Sequence, residues 1–301
     1  IIVADDKKYP RTSKNPKHAF AFKTVLDDQI VESKVVNVIW SPSKDGYLKP
    51  KVQIQPVKLG GAVIQYATLH NAEFVIKNKI GLGAVVQIIR SGDVIPKVEK
   101  VIKPASTIKM PTEYEFKWNS TKKDLILINS EDNDIVKLKK YDDFFNKLDV
   151  VGLGRGNIQR IMNAGFKTIP QILTMTIQDF MKVEGFKEKM ANKVYNSIHS
   201  KVRDADLVQI MIASNLFGRG MGKSRITAIL EAYPDILSRK RTSAKRRELI
   251  SGMGGFGSKT AATFVKHIPA FKRFLRETGL ESKLRQKKKK IKVDTSHKLY
   301  G

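Results

Sequence analysis

Apolar and polar residues alternate along much of the first hundred positions, and glycine-punctuated helical stretches dominate beyond Val151. Ile1-Ile2-Val3 opens in a strand pattern, a polar stretch runs from Asp5 to Pro16, and Ala19-Phe20-Ala21-Phe22-Lys23 returns to alternation. From about Val35 to Pro104 the signals are those of a small antiparallel barrel. Val35-Val36-Asn37-Val38-Ile39-Trp40 is rich in β-branched residues and Val52-Gln53-Ile54-Gln55 has period two. Ser43-Lys44-Asp45-Gly46 between them carries the Asp-Gly of a hairpin. Gly61 to Tyr66 and Ala84 to Arg90 supply further strands.

The second half is organised by one short pattern that returns four times: Val151-Gly152-Leu153-Gly154, Val183-Glu184-Gly185-Phe186, Arg219-Gly220-Met221-Gly222 and Gly254-Gly255-Phe256-Gly257. Gly152, Gly185, Gly220 and Gly255 are 33, 35 and 35 residues apart, the interval of a repeated supersecondary unit. A glycine-apolar-glycine turn lets the chain reverse between two helices and leaves backbone N–H groups bare at the start of the second. With the positive end of the helix dipole behind them, such amides bind phosphate. Cations follow the turns: Arg155; Lys187 and Lys189; Lys223 and Arg225; Lys259. The reading is a tandem of helix-hairpin-helix units that grips a nucleic-acid backbone, with Gly154, Gly222 and Gly257 among the contacts. The alternative is that the glycines only end helices in a small bundle; four copies in register favour the first reading. The five or so strands upstream fit an oligonucleotide-binding barrel, so the expected fold class is multidomain α+β.

Charge sharpens this. Against 29 Asp and Glu stand 56 Lys and Arg, a net charge of +27, and such an excess most often serves nucleic acid. No apolar run approaches a membrane span and no secretory signal is present, so an intracellular protein is expected. There is no cysteine, and the five histidines lack ligand spacing, so no structural metal, zinc included, is expected. Gly218 to Ser224 has the look of a P-loop, but Phe217 stands where that motif needs glycine and Leu207 to Leu216 reads as helix.

Three strings carry a resemblance. Pro56-Val57-Lys58-Leu59-Gly60-Gly61, Ala67-Thr68-Leu69-His70-Asn71-Ala72 and Ile89-Arg90-Ser91-Gly92-Asp93-Val94-Ile95-Pro96 closely resemble the barrel of the NAD-dependent DNA ligases. Asn15-Pro16-Lys17-His18-Ala19-Phe20-Ala21-Phe22-Lys23 looks like the last nucleotidyltransferase motif of that family, and the glycine turns match its helix-hairpin-helix domain in number and order. The resemblance implies an edge of an adenylation domain at 1–28, an oligonucleotide-binding barrel at 29–105 and a helix-hairpin-helix domain at 146–280, in a monomer acting in the cytoplasm or at the site of genome replication. The charge run Lys283 to Lys292, in a basic linker at 281–301, is expected to be solvated. The resemblance also implies NAD and Mg2+ as cofactors, nicked duplex DNA as partner, Lys23 against NAD or adenylate phosphate, and Lys44 and Arg90 on the DNA face of the barrel. His70 has no catalytic role in that reading and is expected to be a hydrogen-bonded structural residue.

The departures matter. The family places a four-cysteine zinc finger where this chain has residues 106–145; a zinc-free remnant is expected there, a short hairpin of Pro111 to Trp118 and Leu125 to Asn129 held by Tyr114, Phe116 and Trp118. The lysine that the family carries near Ala4 is missing, Lys17-His18 replaces Arg-Trp, and Thr24 stands where phenylalanine is usual. No Lys-x-Asp-Gly nucleophile motif is present; Lys44-Asp45-Gly46 lacks the intervening residue. The leading expectation is part of a nick-sealing ligase that clamps DNA but does not adenylate itself; the rivals are a non-catalytic DNA-binding repair module and, more weakly, an RNA-binding protein.

Overall fold

The computed structural model describes residues 2–3, 19–20, 30–91 and 95–285, and the chain divides into two compact units at Ser130/Glu131. In the first unit β1 (Ile2–Val3) pairs antiparallel with β2 (Ala19–Phe20). Lys23, and Gly92 to Val94 of the resemblance motif, lie outside the described residues.

The barrel is built from β3 (Ile30–Pro42), β4 (Tyr47–Leu59), β5 (Ala62–Thr68), β6 (Val85–Ser91) and β7 (Ile95–Lys103), with the short helix α1 (Ala72–Lys77) between β5 and β6. The strands close in the order β3-β4-β5-β7-β6 and back to β3, antiparallel except for β5 beside β7. This is the oligonucleotide-binding topology. The alternation in β4 does what period two requires: Leu48, Val52 and Ile54 are at most 1% exposed while Lys49, Lys51 and Gln53 turn outward. α1 is started by Asn71, whose side chain accepts from the Phe74 amide, and it buries Ala72 and Val75.

A strap follows β7. The carbonyl of Thr107 passes so close to Gly81 that a Cβ there would stand 1.9 Å from it, and the indole of Trp40 donates to the Lys109 carbonyl at 3.0 Å. The chain then forms β8 (Phe116–Trp118) and β9 (Leu125–Leu127), and β9 pairs with β4 through Leu48↔Leu125 and Tyr47↔Ile126. The hairpin thus exists where the sequence reading put one, but its hold is different. Leu125 and Leu127 are buried at 0% and 5%, whereas Trp118 is 38% exposed. The reason is topological: β9 lies between β8 and the barrel, so its alternate side chains face the core, and the aromatics sit on or beside the edge strand. Lys49 adds an ion pair to the buried Asp124 at 3.0 Å.

The second unit is helical: α2 (Asp134–Lys147), α3 (Arg155–Asn163), α4 (Ile169–Leu173), α5 (Ile177–Met181), α6 (Glu188–Asp204), α7 (Leu207–Ser214), α8 (Lys223–Ala232), α9 (Ser243–Ser251) and α10 (Ser258–Glu277), ending in a 3-10 turn at Glu281–Arg285. One hydrophobic core runs through all of it, from Tyr141 to Leu275. Phe217 is buried in it, stacked on Phe264 at 4.9 Å and against Phe271 at 5.3 Å, and burying a side chain of that size is worth about 1.5–3 kcal/mol. Residues 106–145 are therefore shared: the β8–β9 hairpin belongs with the barrel and α2 with the helices.

Lys283 is not a solvated member of the lysine run. It is 4% exposed and donates to the carbonyls of Arg203 and Ala205 at 2.6 Å each, satisfying the C-terminal end of α6, and burial pulls its amine below the ordinary lysine value. No described helix is long and apolar enough to cross a membrane.

Candidate nucleic-acid interface

Each of the four turns has the same local geometry. The first glycine adopts φ of +90° at Gly152, +77° at Gly185, +91° at Gly220 and +82° at Gly255, a region that L side chains resist. The next residue is apolar and buried, Leu153, Phe186, Met221 and Phe256 being 1% to 9% exposed, so it anchors the turn in the core. The third residue is the N-cap of the following helix in extended conformation: Gly154, Lys187, Gly222 and Gly257. The anchor pulls inward and the residues on either side are pushed out; all of these glycines are exposed except the half-buried Gly152.

The helix caps separate into two groups. Asn71, Asn133, Thr168, Thr176, Asp206 and Thr242 each accept a first-turn amide through the side chain. At α3, α6, α8 and α10, the four helices that follow the glycine turns, no side-chain cap is made. Glycine and lysine have no acceptor to offer, so the orphan amides stay available, backed by the helix dipole. The backbone behind them is braced at two turns, where the side chain five residues on donates to the first glycine: Asn157 Nδ2 to Gly152 O and Arg225 Nη1 to Gly220 O, both at 2.8 Å.

The first two turns also meet. Val151 donates its amide to Ser197 Oγ of α6 at 2.8 Å, and Val194 of α6 stands 3.0 Å from the place of a Cβ on Gly152. In return Arg160 of α3 brings Nη1 within 3.2 Å of the corresponding place at Gly185. The helix after the first turn thus touches the second turn, and the helix after the second touches the first. Sequence reasoning missed Arg160, since nothing in the spacing of α3 tells which turn its exposed face meets.

Of the cations expected beside the turns, Lys187, Lys189, Lys223 and Lys259 are exposed and form no ion pair among the described residues. Arg155 is engaged differently: its Nε is 2.6 Å from Oδ2 of the buried Asp142 on α2. Part of its charge serves the fold. On the barrel, Lys44 is half-buried in the turn between β3 and β4, and that turn is fixed by the hairpin, since Leu127 donates its amide to the Gly46 carbonyl at 2.9 Å and Ser130 packs on Gly46. Arg90 donates through Nη1 to the Gly60 carbonyl at 2.8 Å and so ties the end of β6 to the β4–β5 turn. His70 is exposed and sets its ring edge-on to Phe74 at 4.8 Å, and among the described residues it makes no hydrogen bond of the structural kind expected. The described residues bring together no group of histidines and carboxylates able to hold a metal, and a chain without cysteine cannot form a thiolate zinc site.

Residues 32–109 match the family profile described as the NAD-dependent DNA ligase OB-fold domain, and residues 148–200 match the SAM-like helix-hairpin-helix tandem. The chain is similar to a DNA ligase of Acanthamoeba polyphaga mimivirus, 37% identical over 91% of the chain and 43% of the relative. It is also similar to a DNA ligase of Leptospira interrogans serogroup Icterohaemorrhagiae serovar copenhageni (strain Fiocruz L1-130), 27% identical over 94% of the chain and 42% of the relative. A DNA ligase of Desulfatibacillum aliphaticivorans is 28% identical over 78% of the chain and 37% of its own length. The chain thus spans about two fifths of the length of the relatives it matches. The barrel in its closed order, the tandem turns that follow it in sequence and these likenesses support the chain as a piece of a DNA ligase that carries the OB-fold domain of the NAD-dependent family.

Proposed function

We propose that the full-length protein seals nicks in duplex DNA with NAD as adenylate donor, and that this chain supplies the grip on the duplex. The observation that carries the reading is the division of the helix caps: the four N-termini at the glycine turns are the ones left without a side-chain acceptor, and they are exposed. Bare amides at the third residue of a turn bind phosphate oxygens without regard to sequence, which suits a nick that can fall anywhere. Lys187, Lys223 and Lys259 beside them add the long-range attraction. On the barrel, Lys44 presents a cation from a turn held rigid by the β8–β9 hairpin, and Arg90 one from the end of β6.

Lys23 is assigned toward NAD or adenylate phosphate by motif alone. NAD and Mg2+ are held mainly by other parts of the full-length enzyme, where the lysine nucleophile also belongs. A complete ligase supplies adenylate activation of the 5′-phosphate; the residues described here hold the duplex while that happens.

The test is a salt titration of the 301-residue chain on nicked duplex. If the turns and lysines neutralise several phosphates, log affinity falls linearly with log salt, by about 0.9 per phosphate contacted. A salt-independent affinity would overturn the backbone-gripping reading. Incubated with NAD, the same chain is expected to form no AMP adduct, and appearance of one would place the nucleophile within these residues.

A further inference from the structure

The cations of the second unit are not confined to the glycine turns. α8 leaves the third turn and ends at Ala232, and α9 begins at Ser243 and runs into the fourth turn, so the loop 233–242 joins the far ends of both helices. At 1.5 Å per residue that places it about 14–15 Å from the turns. α10 leaves the fourth turn at Ser258 and carries Lys272 about 21 Å and Arg276 about 27 Å along the same direction. Loop and helix meet in an open cleft of ≈ 490 Å³ lined by Arg239, Lys240, Arg241, Arg246 and Lys272. A neighbouring cleft of ≈ 680 Å³ is lined by Lys272, Arg276, Ser238 and one acid, Glu281, among others.

The loop is a built structure. Arg246 donates through Nε, Nη1 and Nη2 to the carbonyls of Ile236, Arg241 and Arg239 at 3.0, 2.7 and 3.0 Å, and Arg241 pairs with Asp235 at 3.0 Å. Those two arginines shape the loop. Lys240, Lys272 and Arg276 make no ion pair or side-chain hydrogen bond among the described residues, and Lys240 and Arg276 are exposed. Folding thus holds cations side by side at some electrostatic cost, and Glu281, which lines the cleft with Lys272 and Arg276, makes no ion pair with any of the three. None of the exposed large apolar side chains of the described residues lies beyond Met181. A protein-docking surface carries aromatic or aliphatic anchors, and this end has none, whereas a phosphodiester backbone needs only the charge.

We propose that this end of the second unit is a second polyanion-binding surface that takes the backbone of a nucleic-acid segment other than the one held at the turns. The bare amides of α8 and α10 point along the helix axes away from this end, so a straight duplex laid across those N-termini leaves the far ends of α8 and α10 behind it. The chain then holds two duplex segments at once.

The test uses the 301-residue chain, a duplex tethered to beads and a free fluorescent duplex at low salt. Chain bound to the tether is expected to retain free duplex. The triple variant Lys240→Ala, Lys272→Ala, Arg276→Ala is expected to bind the tether within about twofold of wild type while retention falls at least about tenfold, and Lys240→Arg with Lys272→Arg to retain as wild type does. The replaced side chains make no ion pair or side-chain hydrogen bond among the described residues, and an unchanged circular-dichroism melt confirms the fold. Undiminished retention by the triple variant overturns the proposal. So does retention that follows a dimer in sedimentation, or displacement of free duplex by poly-glutamate at lower charge concentration than by duplex, which would assign the surface to an acidic protein. If neither chain captures the tethered duplex, the reading of the turns has failed, and this proposal stands or falls on whether free duplex still binds wild type and not the triple variant.

Discussion

Replacing Gly257 by Asp separates a phosphate site from a helix that merely lacks a cap. Gly257 has φ −85° and ψ 168°, a conformation open to any residue, and no heavy atom lies within 4 Å of where its Cβ would be. The new carboxylate would do at α10 what Asp206 does at α7, where its side chain accepts from the Gln209 amide at 2.7 Å. An acidic cap gains a few tenths of a kcal/mol over glycine, and the helix dipole adds about 0.3–1, so Gly257→Asp is expected to raise stability by about 0.5–1 kcal/mol. The same carboxylate occupies the amides and repels phosphate. Losing a hydrogen bond to a charged group costs about 1.5–3 kcal/mol, so affinity for nicked duplex is expected to fall about ten- to hundredfold. Gly257→Ala is the counterpart: it loses about 0.5–1 kcal/mol of stability yet leaves the amides bare, so binding stays within about twofold. Thermal melts and fluorescence anisotropy at one salt concentration read both quantities. If Gly257→Asp stabilises the fold and binds duplex as wild type does, the amides do not hold phosphate and the turn is structural only.

Arg160→Ala is expected to leave stability unchanged and to lower duplex affinity about three- to tenfold, with the salt slope reduced by about 0.9; an unchanged slope would return Arg160 to the solvated surface. Leu125→Ala, in a strand outside the five of the barrel, is expected to cost about 2–5 kcal/mol in a denaturant titration because Leu125 is fully buried against β4. A cost near zero would mean that the hairpin is not docked. The Arg241 guanidinium beside Asp235 holds that carboxyl below its ordinary value. The sign is that of a depressed acid: its contribution to stability is present above the ordinary carboxylate pKa and is lost as pH falls through the lowered one. Arg241→Ala is expected to move the Asp235 titration, followed by carboxyl NMR, upward to the ordinary range, and an unmoved midpoint would exclude the ion pair as its cause.

What the sequence made legible and what it hid divide along one physical line. The turns were readable because their determinants sit within four consecutive residues: a positive φ, a buried apolar anchor and an extended N-cap are local requirements, and glycine meets two of them. β4 was readable for the same reason, since alternation is a property of one strand. Partners chosen across the fold left no local trace. Asp142, thirteen residues before Arg155, gives no sign in sequence of drawing off part of a cation counted toward phosphate. Lys283 looked like the first of a solvated run because its acceptors, Arg203 and Ala205, are eighty and seventy-eight residues away. The hairpin after the strap was expected to stand on its own aromatics because its true support, β4, was already assigned to another domain. The same line explains why four copies of one motif need not do equal work. Each turn carries the same bare amides, but its surroundings are set by whichever helix the tertiary fold lays beside it: α6 closes on the first turn and leaves Gly152 half-buried, while α3 lends the second turn an arginine. Equal local chemistry in unequal settings implies unequal phosphate affinities, and the fourth turn, whose three glycines have no neighbour within 4 Å of their Cβ positions, is the most open to a ligand.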